Sequence, residues 1–104
     1  MERMQRLVEQ PADEGDMFGG KARIGRVHYH LSVYQHFSEA EGDFVPAHFE
    51  VEGRITPLDP VDLLALHQQA AELTLHLADG RRLDFSVANE QGTIRSTGRG
   101  LYTV

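Results

Sequence analysis

RIGRVHYHLSVYQHF, residues 23–37, alternates apolar and polar side chains almost without a break. Val27, Tyr29, Leu31, Val33 and Phe37 form one row, interrupted by Gln35, and Arg26, His28, His30, Ser32, Tyr34 and His36 form the other. Successive side chains of a strand leave opposite faces, so a period of two predicts a half-buried β-strand. The odd row then faces a core. The even row faces outward and carries three of the six histidines.

A second alternating stretch follows the polar connection 38–43. Ala47, Phe49, Val51, Gly53 and Ile55 share one face, and His48, Glu50, Glu52 and Arg54 share the other. The two stretches predict an antiparallel hairpin. Both place their apolar residues at odd numbers, so directly opposed residues must have numbers with an even sum, or one buried row would turn to solvent. Sums of 80 or 82 fit the connection. The first sets His28 against Glu52 and His30 against Glu50, and the second sets His30 against Glu52 and Tyr34 against His48.

Beyond Thr56 the pattern changes. Asp59 suits a helix N-cap, Pro60 the first helical position and Asp62 the first turn, predicting a short helix through Leu63, Leu64 and Leu66 that ends near Gln69 or Ala71. Period two returns at Leu73, Leu75 and Leu77. A three-residue loop Ala78–Gly80, with Gly80 left-handed, would oppose Leu75 to Leu83 and Leu73 to Phe85. A turn at 89–92 leads into a strand over 93–98, and 99–104 suggests a last short strand. In the other direction, residues 1–19 show no sustained period and are broken by Pro11 and Gly19-Gly20, so a flexible or loosely docked arm is expected there. Residues 20–104 then form the domain.

The expected fold is all-β: a small antiparallel β-barrel or sandwich of five to six strands, with one short helix between strands 2 and 3. Its element order is similar to the oligonucleotide/oligosaccharide-binding type of barrel, a likeness of architecture that no motif carries and that assigns no function.

Composition narrows the chemistry. A chain of 104 residues is one domain's worth, and the lack of cysteine excludes a disulfide, a thiolate metal site and a cysteine nucleophile. A net charge of −6 disfavours general nucleic-acid binding, which depends on neutralising phosphates. The charged N-terminal stretch MERMQRLVEQ has no apolar run suited to a signal peptide or membrane span, so a cytoplasmic location is the expectation. Basic residues Lys21, Arg23 and Arg26 precede an acid-rich stretch, Glu39 to Asp62, and attraction between these neighbouring strands accounts for that polarity.

Three candidate sites emerge. His28 and His30, two residues apart on one face, with His48, Glu50 and Glu52 on the neighbouring strand, are donors suited to zinc or another divalent metal. The pairing of histidines is similar to the cupin strand, although Tyr34 and Gln35 stand where that pattern has its acid. Tyr34 and His36 mark a face for a protein partner. Arg81, Arg82, Arg95 and Arg99 mark an anion patch where Tyr102 would stack on a base. Gly15–Ala22 echoes a phosphate-binding loop, but Ala22 replaces the Ser/Thr and a strand follows where a helix is required. With no complete catalytic constellation, the expectation is a non-enzymatic module, without a cofactor, that binds a protein partner or pairs with itself as a homodimer by a strand edge or the outer sheet face. A metal-binding protein or metal-dependent enzyme, and a single-strand nucleic-acid binder, are the alternatives.

Overall fold

A computed structural model describes residues 4–104. The chain runs β1 (Met4–Glu9), β2 (Ala12–Gly19), β3 (Ala22–Ala40), β4 (Asp43–Pro57), α1 (Leu63–Gln68), β5 (Leu73–His76), β6 (Arg82–Val87) and β7 (Thr93–Ser96). All strand pairings are antiparallel. The all-β expectation holds, but the strand count rises to seven, and the helix falls between the fourth and fifth strands. Both differences have one source: the stretch expected as an arm supplies β1 and β2.

Those two strands escape period-two reading for a physical reason. In β2 only Gly15 and Met17 are buried, Glu14 and Asp16 face outward, and Asp13, on the Gly15 side, is exposed. Gly15 has no side chain to register as apolar, because a Cβ there would collide with the His76 carbonyl oxygen of the adjacent β5. In β1 the apolar residues are exposed, so no buried row exists to impose a period.

β3 is the spine. Its lower half pairs with β2, its upper half with β1, and Val27 to Ala40 with β4. The ladders run from β2 to β3, β4, β7, β6, β5 and back to β2. Inside this circuit lies the core, led by Phe85, Met17, Leu31, Ile55, Leu73, Leu75, Leu83 and Ile94. Tyr29 joins it with its ring buried while its hydroxyl accepts the Ala78 N–H at 3.1 Å.

The β5–β6 hairpin has the expected register, Leu73 opposite Phe85 and Leu75 opposite Leu83, and Gly80 has φ +92°. The helix begins later than expected. Asp62 is its N-cap, accepting the Ala65 N–H at 3.0 Å. Asp59 instead accepts the Arg26 N–H at 2.9 Å and an Arg23 guanidinium N–H at 3.3 Å. The Arg26 amide, and after it the Arg23 guanidinium, hold the Asp59 carboxyl below the usual carboxylate range. Leu63 and Leu66 of the helix, with Val61 and Ala71 beside it, pack partly buried on the core.

The β3–β4 register departs from both expected values. Over the core half the opposed numbers sum to 84, as in Tyr29 opposite Ile55 and Val33 opposite Val51. The even parity demanded by the two apolar rows is kept. The tip obeys a different constraint: the strands extend to Ala40 and Asp43 around a two-residue turn, Glu41-Gly42, with φ of 52° and 84°. Such a turn has left-handed backbone at both central positions and suits the twist of a hairpin. It also forces an odd sum, 83, between Ala40 and Asp43. One extra residue must therefore be absorbed between tip and core. It is absorbed on β4, where Ala47 and His48 together face His36, between the pairs Gln35–Phe49 and Phe37–Pro46. Gln35, the residue that interrupts the apolar row, donates from Nε2 to the carbonyl oxygens of His36 at 3.1 Å and His48 at 3.4 Å. It thereby stabilises the bulge's backbone.

Beyond the core, β1 and the outer halves of β3 and β4 form a three-stranded extension. β1 is tied back to the body by Glu9, whose carboxylate accepts from both terminal nitrogens of Arg81, one of these bonds being 3.0 Å. The Arg81 hydrogen bonds hold the Glu9 carboxyl below its ordinary value of 4.5. Its contribution to stability is therefore complete above the ordinary carboxylate value and drains away as the pH falls through the lowered one. Both side chains are partly solvated, so the pair contributes about 1 kcal/mol at most. Protection factors of β1 amides, corrected for the intrinsic pH dependence of exchange, are accordingly expected to fall on acidification more than those of β5, and Glu9→Gln to reproduce that fall at neutral pH.

Candidate functional site

The bulge on β4 gathers three chemically capable side chains. His36 Nε2 lies 2.8 Å from Glu50 Oε2, and the His36 and His48 rings stack with centroids 4.6 Å apart and planes 11° from parallel. Each of the three residues offers a ligand atom within 4.8 Å of the others. His36 belongs to the outward row by parity, yet it is 8% exposed. The bulge explains this: it turns two β4 residues toward one β3 residue and re-aims the His48 ring onto His36. His48 itself is exposed and Glu50 half-buried.

The sequence-derived metal set is divided by the observed register. His48 and Glu50 fall in this cluster, joined by His36, which sequence reasoning had assigned to a partner face. His28 stands between Glu14 of β2 and Thr56, and His30 between Ala12 and Arg54. Glu52 lies between Ser32 and Arg95. The paired His28/His30–Glu50/Glu52 arrangement therefore does not form. Tyr34 faces outward between Leu7 and Glu50. The missing signal was a conflict of parity: a two-residue turn at Glu41-Gly42 cannot coexist with two odd apolar rows unless a bulge intervenes.

The basic end of β3 is matched differently from expectation. Arg23 pairs with Asp16 at 3.0 Å and Asp59 at 3.3 Å, and Arg26 with Glu14 at 3.3 Å and Asp16 at 3.5 Å. The neutralising acids come mainly from β2, and not from the acidic row of β4.

Of the four arginines singled out as an anion patch, Arg81 and Arg99 have side-chain partners. Arg81 is held by Glu9 and Asp79. Arg99 lies over the Tyr102 ring, 3.7 Å from its centroid, and the Tyr102 hydroxyl donates to Asp84 at 2.7 Å. That bond, with burial, pushes the Tyr102 hydroxyl's pKa up. Arg82 is bridged to Tyr102 through the backbone, and Arg95 sits on β7 opposite Glu52. Tyr102 thus has one ring face occupied by a guanidinium. Elsewhere, the His76 ring stacks on Phe18 with centroids 4.2 Å apart, and burial, then Arg82, pushes its pKa down. His67 Nδ1 lies 3.1 Å from the Val87 carbonyl oxygen at the helix end.

Exposed apolar surface is concentrated on the extension. Among the described residues nine large apolar side chains are exposed, and six of them, Met4, Leu7, Val8, Phe44, Val45 and Phe49, belong to its three strands. Phe49 and Phe37 continue outward the face that carries Val33 and Val51 in the core, and with Leu7, Val8 and Pro46 they line a shallow groove. β1 pairs with β3 alone, leaving its other edge without a strand neighbour among the described residues. No described helix is long and apolar enough to cross a membrane. Comparison with protein-family models, with curated proteins and with solved structures found no match to this chain.

Proposed function

We propose that this chain is a non-enzymatic, self-associating module: a small closed β-barrel, formed by β2 to β7, whose projecting extension pairs with that of a second copy. The observation that carries the reading is the coincidence of exposed apolar side chains with an open strand edge on one projecting sheet. Sheet edges are hazardous, and proteins usually guard them with proline, charge or cover. The outer part of β4 is guarded in this way by Asp43, Pro46 and Glu50. β1, MQRLVE, has no proline, and three of its six residues are apolar and exposed. It carries Arg6 and Glu9 and a register irregularity between Leu7 and Glu9, so its regular, proline-free edge is Met4 to Leu7.

Symmetry fixes much of the geometry. A two-fold axis perpendicular to the sheet keeps each residue on its own face, so antiparallel β1 strands pair in registers that set a residue against its symmetry mate. Centring on Arg6 would oppose two guanidinium groups. Centring on Leu7 sets it against the partner's Leu7 and joins the two extensions into one six-stranded sheet. Each chain carries a net charge of −6, so association is expected to strengthen as salt screens the mutual repulsion. Sedimentation velocity across a concentration series tests the proposal. A shift from monomer to dimer is expected, enhanced by added salt, whereas a monomer at every concentration and ionic strength rejects it.

A further inference from the structure

We infer that His36, His48 and Glu50 form a binding site for a divalent transition metal of the zinc class. The inference does not rest on self-association, because all three donors come from one chain. The bulge is the structural reason for the site: with Ala47 and His48 together opposite His36, imidazole and carboxylate converge where a regular ladder would spread them along the strand. Gln35 braces that backbone from the opposite face.

The donor chemistry fits. Two imidazoles and a carboxylate are a common zinc set, leaving a fourth position for water. His36 and Glu50 are already close to the required spacing. Two ligands bound to one zinc at about 2.0–2.1 Å in a tetrahedron stand roughly 3.3 Å apart, and here the atoms are 2.8 Å apart with a hydrogen between them. Metal would take the place of that hydrogen, and a neutral His36 would keep its proton by shifting it to Nδ1. His48 must move. An ion lies in the plane of each imidazole it binds, and two nearly parallel, separated planes cannot both contain it, so the 11° stack is the metal-free arrangement. His48 is exposed and has room to turn, whereas buried His36 is fixed in place. His28 and His30 lack this convergence, and His30 stands beside Arg54, whose charge repels a cation.

Calorimetric titration of the untagged protein with zinc chloride tests the site. One zinc per chain is expected. His48→Ala and Glu50→Gln should each weaken binding by about tenfold or more, while His28→Ala/His30→Ala should leave it unchanged. His48 is exposed, so its variant is expected to keep the parent's melting temperature without zinc, which separates ligand loss from misfolding. Sedimentation with and without zinc tells an intrachain site from a metal bridge between chains. Absence of stoichiometric binding, binding insensitive to His48→Ala, or binding abolished by the His28/His30 double variant overturns the inference.

Discussion

Gly53→Ala is expected to destabilise the fold by about 3 kcal/mol or more, lowering the melting temperature by roughly 15 °C. Gly53 sits on β4 between β3 and β7, opposite Leu31 and Ile94. A Cβ at this position would run into the His30 carbonyl oxygen and lie 2.9 Å from the Leu31 Cα. Both are backbone atoms of the long strand at the centre of the fold, so relief requires β3 and β4 to separate where they carry Leu31, Val51 and Ile55 into the core. Glycine inside a strand often marks such a close approach. The comparison is Gly98→Ala: an added Cβ there meets nothing within 4 Å, so it should change stability by no more than about 0.5 kcal/mol. Thermal or urea denaturation of the two variants side by side separates them. Equal, small effects would mean that the strands do not cross as closely as described.

The second large effect concerns association. Leu7→Lys is expected to raise the dimer dissociation constant by roughly a hundredfold. The substitution removes apolar contact on both sides of the two-fold axis and sets two ammonium groups against each other. Together these amount to about 3 kcal/mol. Leu7 is 45% exposed and lies outside the core cluster, so the monomer's denaturation midpoint at high dilution should be nearly unchanged. A variant that loses dimer and fold together would point to a structural role for β1. Phe44→Lys, at the hairpin tip, should weaken association far less if β1 is the contact.

How much of this was legible in the sequence depended on whether a residue had a buried row to belong to. Val27 to Val33, Val51 to Ile55, and Leu73 to Phe85 all do, and their strand pairing or parity follows from side-chain alternation alone. β2 did not announce itself, because one of its inward positions is Gly15 and its outward ones are acids that complement Arg23 and Arg26. A polar connection and a strand paired to a basic partner look alike when the partner's register is unknown. β1 has no buried row at all. The candidate site was half visible: His48 and Glu50 were singled out, but His36 was separated from them because strict alternation was carried through Gln35 to Phe37. The bulge breaks that alternation, and its cause lies in the incompatibility of an odd-sum turn with even-sum core rows. Gln35 marked the location, as a polar residue in an apolar row whose side chain is spent on bulge carbonyls.

The central claim is that two copies meet through their β1 edges with Leu7 at the axis. The chain has no cysteine, so Leu7→Cys introduces a single thiol whose oxidation reports directly on that geometry. Opposed Cα atoms in an antiparallel pair lie roughly 4.5–5.5 Å apart, within the range of about 4.4–6.8 Å that a disulfide spans. Under mild oxidation at a concentration where the parent is dimeric, Leu7→Cys should convert nearly completely to a disulfide-linked dimer on a non-reducing gel, while Phe44→Cys should remain mostly monomeric. Failure of Leu7→Cys to cross-link, or equal cross-linking from both positions, would contradict it.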